Sequence, residues 1–241
     1  MVRPGVKVVI MTHNATQLPL PAELDEPTPG SIVDLPLPGA WVFCPQVFGD
    51  SRGSFHEGFR AEQFVEHLGY PFEVAQANVS RSSQDVVRGL HVADVPPGQA
   101  KFVTCVAGAI WDVVVDLRRG SPTFGKHVVV ELSAANNRGL FVPLGCGHGF
   151  LATTPEATVH YLVTEAYNPQ AEFEVDAFDP QLGIDWGVTK AQAIQSAKDA
   201  AAPSLSAVMD RLPVYKEVRG WEQELKNSWA EALDQAESWE G

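Results

Sequence analysis

The sequence is poor in cysteine, in basic residues and in long apolar runs. Its three cysteines, Cys44, Cys105 and Cys146, form no C-x-x-C pair, which argues against a disulfide framework and for a reducing compartment. No apolar stretch approaches the ~20 residues that a membrane-spanning helix needs. The apolar run at residues 8–11 is also too short for a secretory signal. These absences predict a soluble, cytoplasmic protein that does not enter a membrane.

The charge balance excludes a further class of function. The chain has 17 lysines and arginines against 30 aspartates and glutamates, a formal net charge of −13. Such an acidic surface repels phosphates, so we expect no nucleic-acid binding. Any anionic ligand must be held by particular arginines or lysines. With 45% hydrophobic residues, the chain still has enough apolar material for a large core.

Proline content and hydrophobic periodicity divide the chain into three regions. Residues 1–39 are predicted to be an extended arm, because prolines at positions 19, 21, 27, 29, 36 and 38 exclude long helices. Residues 40–205 are predicted to be the main domain. Its short runs of period two, between about residues 40 and 165, predict a β-sandwich or barrel. Residues 206–241 are predicted to be an amphipathic helical extension. Its apolar face should pack on the body of the protein or on a partner subunit. That face consists of Trp221, Leu225, Trp229 and Leu233.

The individual elements follow from the same patterns. Strands are predicted at residues 40–47, 101–106, 109–116, 126–132, 139–142 and 158–164. A helix is predicted over residues 60–68, where Phe64 and Leu68 lie one turn apart and Gly69 ends it. The alanine-rich segment 190–202 is predicted to be a second helix, ending at Pro203.

Two histidine segments are the first candidates for chemistry. Arg88-Gly-Leu-His91 should form a strand or turn edge, and taken alone His91 is more often a structural histidine. The stretch Pro143-Leu-Gly-Cys-Gly-His148 resembles the second half of the cupin signature, which brings a histidine into a barrel. A metal-binding cupin needs a second histidine two positions after His91, and Ala93 stands there. We therefore expect no metal and no other cofactor.

Taken together, many ordered segments resemble the dTDP-4-dehydrorhamnose 3,5-epimerase family, a metal-independent group of cupins. The resemblance covers roughly residues 40–205. The matching segments are Phe48-Gly-Asp-Ser-Arg52-Gly-Ser-Phe55-His-Glu57, Gln76-Ala-Asn78-Val-Ser80, Arg88-Gly-Leu-His91, Gln99-Ala-Lys101, Asp112-Val-Val-Val-Asp116-Leu-Arg118, Gly120-Ser-Pro-Thr-Phe-Gly125, Val142-Pro-Leu-Gly-Cys-Gly-His148-Gly-Phe150, Tyr161, Tyr167-Asn-Pro169, Glu172, Asp179-Pro-Gln-Leu-Gly-Ile-Asp-Trp186 and Ser196-Ala-Lys-Asp199. The resemblance implies a mainly β, cupin or jelly-roll sandwich with a few peripheral α-helices.

The resemblance also implies an activity and four catalytic residues. The family epimerises a dTDP-4-keto-6-deoxyhexose at carbons next to the ketone, through an enolate. His91 matches the base and Asp199 the carboxylate that orients it. Lys101 matches the cation near the enolate oxygen, and Tyr161 matches the acid that returns a proton on the opposite face. Without the resemblance, Lys101 would be taken as a solvated strand lysine and Tyr161 as a buried structural tyrosine.

Further matches imply how the substrate is bound. Arg52 and Arg88 would hold the diphosphate, and Tyr167 would stack on the thymine. The remaining binding residues implied by the resemblance are Glu57, Gln76, Asn78, His148, Glu172 and Lys198. Family members are homodimers that exchange N-terminal strands, so Arg52 and Glu57 are expected to enter the neighbouring subunit's site.

Some positions depart from the family pattern, and other functions stay open. Ala77 replaces a frequent aspartate, and Val92 and Ala93 replace an aromatic residue and a glutamine. These changes leave open whether C3, C5 or both are inverted. Two alternatives are a non-catalytic cupin that binds a nucleotide sugar and a metal-dependent cupin enzyme. The first is disfavoured by the intact catalytic set, the second by Ala93.

Overall fold

Short β-branched and aromatic runs form thirteen strands in residues 15–240, the part of the chain that this computed structural model describes. The strands are β1 (Ser31–Asp34), β2 (Trp41–Cys44), β3 (Val47–Asp50), β4 (Gly53–His56), β5 (Gln76–Ser83), β6 (Val87–Ala93), β7 (Lys101–Ala107), β8 (Ala109–Val115), β9 (His127–Ser133), β10 (Gly139–Val142), β11 (Gly147–Ala152), β12 (Glu156–Val163) and β13 (Glu172–Glu174). The α-helices are α1 (Ala61–Leu68), α2 (Ala197–Ala200) and α3 (Tyr215–Glu240), and Ala22–Leu24 and Leu205–Arg211 are 3-10 helices.

Two antiparallel sheets account for most of these strands. The six-stranded sheet has the order β1-β2-β10-β7-β12-β5, and the five-stranded sheet has the order β13-β6-β11-β8-β9. Strands distant in sequence are neighbours in both sheets, so segments from along the chain meet at one place. The mainly β class and the predicted sandwich are confirmed.

Alternation along the strands explains how the sheets are covered on both faces. On β9, Val128, Val130 and Leu132 belong to the core between the sheets, whereas Val129 belongs to a second cluster outside the five-stranded sheet. The outer cluster is completed by residues from the chain after β13, among them Trp186. Burial on both faces removes the simple apolar-polar alternation expected for a half-exposed strand.

A third, aromatic cluster covers the outside of the six-stranded sheet. Trp41 stacks on Phe141 with 4.7 Å between ring centroids, and Phe64 of α1 meets Trp41 edge-on at 4.9 Å. Gly69 ends α1 with a φ of 81°, as predicted for that helix. Val218 of α3 is fully buried in the same cluster. The C-terminal helix therefore packs on the body of the protein.

The predicted strands are confirmed with small changes of boundary, except that residues 40–47 divide into β2 and the start of β3. The predicted helix over residues 190–202 is wrong, because only α2 is helical there. Ile194 instead pairs with neighbouring backbone, accepting from Val87 N and donating to Asp85 O. These tertiary hydrogen bonds override the local helix propensity of the alanines.

The terminal regions also differ in detail from the expectation. Residues 1–14 of the predicted arm lie outside the described residues. Within the rest of that arm, β1 is the edge strand beside β2, and Gln17 forms a parallel bridge to His127. On α3, Trp221 packs against the aromatic cluster, whereas Leu233 is 46% exposed. None of the helices in the described part of the chain is long and apolar enough to span a membrane.

One hairpin stands apart from both large sheets. Within residues 15–240, strands β3 and β4 pair only with each other, with Phe48 opposite Phe55. These two rings are 58% and 64% exposed. Adjacent exposed aromatic rings are unusual on a solvated surface and indicate an interaction surface.

Candidate active site

A cavity of about 370 Å³ is lined by residues from both large sheets. The five-stranded sheet contributes strands β6, β11 and β13, and the six-stranded sheet contributes β5, β7 and β12. Nine of the residues predicted for catalysis or binding line it: Asn78, Arg88, His91, Lys101, His148, Tyr161, Tyr167, Glu172 and Lys198. The fold therefore brings most of the predicted site into one cavity.

His91 and Asp199 form the hydrogen-bonded pair predicted from the sequence. His91 Nε2 lies 2.9 Å from Asp199 Oδ1, and the carboxylate is almost fully buried. Asp199 is held in turn by Ser196, which caps α2, accepts from the Asp199 backbone N–H and donates its hydroxyl to Oδ2 at 2.9 Å. The imidazole of His91, which lines the cavity, is therefore oriented by a carboxylate that is itself held in place.

A glycine allows the strand that carries His91 to approach its neighbour. Gly89 has a φ of 101°, and a Cβ there would lie 2.5 Å from the carbonyl oxygen of His148. A side chain at this position would therefore both strain the backbone and push β6 away from β11. In the resulting register His91 lies opposite His148.

The charge state of Asp199 suits a supporting role. Burial alone would raise the pKa of this carboxyl, but hydrogen bonds from His91 and Ser196 outweigh burial and the pKa is lowered. Asp199 is therefore ionised at neutral pH. An ionised carboxylate stabilises the imidazolium that His91 becomes on accepting a proton.

Lys101 is a buried cation at the wall of the cavity. Its exposed fraction is 8%, and burial lowers its pKa to about 8, although the charge of Glu172 acts in the opposite direction. The ammonium form therefore predominates at neutral pH, although by less than for a solvated lysine. A buried ammonium of this kind can stabilise an anion that forms beside it more strongly than a solvated lysine can.

Tyr161 supplies a phenol to the same cavity. Its hydroxyl lies 3.2 Å from Ser80 Oγ, and its ring meets the His148 ring edge-on at 6.2 Å between centroids. Burial raises the pKa of Tyr161, so the hydroxyl is protonated at neutral pH. It can therefore act as a proton donor.

His148 belongs to a second buried histidine–carboxylate pair, which sequence reasoning missed. Its Nε2 lies 2.5 Å from Asp112 Oδ1, and both side chains are almost fully buried. The two residues are cross-strand neighbours of the β8–β11 ladder, offset by two positions. Only the strand register brings them together, so no local pattern could have predicted the pair.

The binding residues predicted from the sequence fall into connected groups. Arg88 is held by Ser82 Oγ at 3.0 Å and by the carbonyl oxygen of Arg81 at 3.2 Å. Lys198 pairs with Glu174, and its Nζ lies 5.9 Å from the centre of the Tyr167 ring. A cation and a half-exposed aromatic ring thus lie together at the entrance of the cavity.

Gln76 lies just outside the cavity but is bonded to residues around it. Its Nε2 donates to Asn78 Oδ1 at 2.6 Å, and its Oε1 accepts from the backbone N–H of Tyr167 at 3.1 Å. It therefore ties β5 to the loop that presents Tyr167.

Arg52 and Glu57 do not line this cavity. Arg52 lies on the tip of the β3–β4 hairpin, where its side chain is 87% exposed and its Nη2 lies 2.5 Å from Asp50 Oδ2. Glu57 follows the same hairpin and lies 3.7 Å from Arg60. The two residues share one exposed element, apart from the other predicted residues.

Several lining or supporting residues were not predicted. They are Ser80, Gln99, Asp112, Glu174 and Ser196. A sequence signal existed for Ser80, because it shares a strand face with Gln76 and Asn78, and for Gln99, which precedes Lys101 by two positions. Among the side chains that the structure describes, there is no cluster of three or more histidines, cysteines, aspartates or glutamates arranged to hold a metal ion.

Comparison with known proteins identifies the family. The model of the dTDP-4-dehydrorhamnose 3,5-epimerase family matches residues 34–207. The chain belongs to this family. It is 44% identical over 196 residues to a dTDP-4-dehydrorhamnose 3,5-epimerase of Mycobacterium tuberculosis, covering 79% of this chain and 93% of the relative. It is also 41% identical over 190 residues to a dTDP-4-dehydro-6-deoxyglucose 3-epimerase of Streptomyces bikiniensis, covering 79% of this chain and 96% of the relative.

Solved structures of epimerases have the same fold. A Mycobacterium tuberculosis epimerase superposes with a TM-score of 0.78 and 43% identity, covering 81% of this chain and 99% of that one. A 3'-monoepimerase of Streptomyces bikiniensis, in complex with dTDP-quinovose, gives a TM-score of 0.77 and 39% identity, covering 80% and 98%. The epimerase fold is of the cupin type, and this chain is an isomerase of the epimerase class. All of α3 lies beyond the segment matched by the family model.

Proposed function

We propose that this epimerase acts on a dTDP-4-keto-6-deoxyhexose and inverts C3, C5 or both. The observation that carries the proposal is the His91–Asp199 pair, which shares one cavity with the buried ammonium of Lys101 and the phenol of Tyr161. The hydrogens at C3 and C5 are acidified by the ketone at C4, and their removal gives an enolate. Inversion needs a base, a cation at the enolate oxygen and an acid on the opposite face.

Each of the four residues performs one part of this chemistry. His91 accepts the proton from carbon, and Asp199 stabilises the imidazolium that results. Lys101 stabilises the charge that develops on the C4 oxygen. Tyr161 returns a proton to C5 from the face opposite His91. The buried, protonated state of its hydroxyl supports this role.

The nucleotide is held by the residues around the entrance. Arg88 binds the diphosphate through its guanidinium, which suits phosphate oxygens. Tyr167 stacks on the thymine, with Lys198 beside it. Gln76, Asn78, His148 and Glu172 complete the recognition of the base and sugar. These few cations explain how a chain of net charge −13 binds an anionic substrate.

The active form in this proposal is a homodimer. The β3–β4 hairpin carries Arg52 and exposes Phe48 and Phe55. In the dimer, these rings are covered by the second subunit, and Arg52 and Glu57 enter its cavity. This arrangement would explain why a phosphate-binding arginine lies outside the cavity of its own chain.

The product serves deoxysugar assembly, either for cell-surface rhamnose or for a glycosylated secondary metabolite. We assign the reaction to the cytoplasm, where three unpaired, buried cysteines are stable.

Incubation with dTDP-4-keto-6-deoxyglucose in deuterated water tests the function. Proton NMR should show loss of the C3 or C5 hydrogen signal and of its coupling to the neighbouring hydrogens. Deuterium at C3 alone, at C5 alone or at both carbons distinguishes the three regiochemistries. Tight binding of the substrate with no exchange at either carbon would instead support a non-catalytic binding protein and overturn the proposal.

A further inference from the structure

Gln99 links the buried lysine of the cavity to two other elements. It lies in the loop before β7, two positions before Lys101, and lines the same cavity. Its side-chain oxygen accepts a hydrogen bond from Lys101 Nζ. Its Nε2 donates to the carbonyl oxygen of Glu165 at 2.9 Å and contacts Glu172 Oε1 at 3.3 Å.

These partners allow only one orientation of the amide. An ammonium has three donors and no acceptor, so the amide oxygen must face Lys101. The NH2 group must face the two acceptors, the Glu165 carbonyl and the Glu172 carboxylate. If the amide were rotated by half a turn, its NH2 group would face the ammonium of Lys101. Its oxygen would then face the carbonyl oxygen of Glu165 and the carboxylate of Glu172. Gln99 is therefore fixed at both ends of its amide.

We propose that Gln99 is a positioning residue for Lys101, holding the ammonium toward the reacting sugar with an acceptor that carries no charge. The inference rests on the proposed function, in which Lys101 stabilises an enolate oxygen. The amide takes one donor of the ammonium and fixes its direction, and it leaves the remaining donors for the substrate.

The neutrality of the amide is the physical reason for a glutamine at this position. A carboxylate in direct contact would pair with Lys101 and compete with the forming oxyanion for its charge. Glu172 does carry a charge, but the amide of Gln99 stands between Glu172 and Lys101. The ammonium is thus hydrogen-bonded without being neutralised, and its pKa of about 8 reflects burial more than pairing.

The Gln99→Met and Gln99→Glu substitutions test the idea through the pH dependence of kcat. Activity requires the protonated lysine, so it should fall as the pH rises through the pKa of Lys101. The basic limb should disappear in Lys101→Arg, because a guanidinium does not titrate in the range measured. Its disappearance would assign the limb to Lys101. The other titratable or charged groups that line the cavity are Arg88, His91, His148, Tyr161, Glu172, Glu174 and Lys198. Their titrations should move little between variants that differ only at position 99.

The two variants should move the basic limb in opposite directions. Gln99→Met removes the acceptor, which should move the midpoint of the basic limb to lower pH. It should also reduce kcat about 10- to 100-fold with little change in KM. Gln99→Glu adds a negative charge beside Lys101 and should move the midpoint of the basic limb to higher pH by about one unit. It should also lower kcat. Gln223→Met, at an exposed position of α3, is the matched control and should leave the profile unchanged.

A role limited to local packing gives a different result. The inference would be overturned if the basic limb had the same midpoint pH in wild type and both variants. It would also be overturned if the midpoint moved in the same direction in both variants. Circular dichroism and dTDP binding establish that each variant is folded, and Gln99→Glu retains the shape of glutamine if Gln99→Met does not fold. A wild-type protein without any exchange activity would refute the proposed function itself, which is a distinct outcome.

Discussion

The imidazole of His91 and the carboxylate of Asp199 lie 2.9 Å apart, although 108 positions separate them in the chain. One stands on a central strand and the other in a single helical turn near the end of the family region. The buried carboxylate is ionised and is itself held by Ser196. The pair therefore has the geometry and the charge of an oriented general base.

The two members of this pair should respond differently to substitution. His91→Ala should abolish deuterium exchange at both carbons, while the fold and dTDP binding remain. Asp199→Asn should reduce kcat about 10- to 100-fold without abolishing exchange, because only imidazole orientation and charge stabilisation are lost. Exchange is measured by proton NMR in deuterated water. Normal exchange in His91→Ala would remove this residue from the mechanism.

Substitution of Tyr161 by phenylalanine should separate proton removal from inversion. Exchange on the face of His91 should continue, whereas inversion at C5 should be impaired because the proton donor on the other face is missing. Stability should fall by no more than about 1–2 kcal/mol, since one hydrogen bond to Ser80 is lost.

Tyr70→Phe, which removes a phenol outside the catalytic cavity, serves as the matched control. NMR of the product sugar reports both stereocentres. Full C5 inversion in Tyr161→Phe would refute the assignment, and a wild-type enzyme that inverts only C3 would mark the chain as a mono-epimerase despite this tyrosine.

The activity should not depend on a divalent metal ion. Ala93 occupies the position where a metal-binding cupin has its second histidine, so the first half of the ligand set is incomplete. Dialysis against a chelator should leave kcat unchanged, and elemental analysis should find no stoichiometric metal. Loss of activity on dialysis, restored by one particular divalent ion, would contradict the expectation.

Complementation tests whether the β3–β4 hairpin completes a neighbouring site. Arg52→Ala and His91→Ala should each be nearly inactive as homodimers. When they are mixed under conditions that exchange subunits, each mixed dimer contains one site with both defects and one with neither. About a quarter of the wild-type activity should then return. Absence of recovery in demonstrated mixed dimers would show that Arg52 serves its own chain or none.

The packing of α3 can be tested without touching the active site. Trp221→Ala should lower the free energy of unfolding by about 2 kcal/mol, because its ring packs against the aromatic cluster. Leu233→Ala, at an exposed position of the same helix face, should have little effect. Thermal melts and denaturant titrations measure both variants. If Trp221→Ala were as stable as wild type, the ring of Trp221 would not contribute to packing on the body of the protein. The apolar face of α3 would then have to pack on another partner.

The proposed catalytic set was accessible from the sequence only through ordered segments that resemble the family, because each residue taken alone favoured a structural role. Period-two runs predicted the strands that carry Lys101 and Tyr161, whereas His91 and Asp199 were found only through the segments that resemble the family. Local patterns failed over residues 190–202. There, backbone pairing of Ile194 with Asp85 and Val87 decided the conformation.

What the sequence determined by itself was therefore the β-rich class, the residue types of the site and the order of its motifs along the chain. Only the tertiary structure decided which side chains touch. The pairing of His148 with Asp112 and the link from Gln99 through its amide to Glu172 both depend on sheet register and on contacts between distant elements. The same is true of Arg52, whose separation from the cavity arises from a hairpin that pairs with neither large sheet. Local periodicity specifies which face of a strand a residue occupies, whereas its neighbours are set by how remote strands align when the core closes.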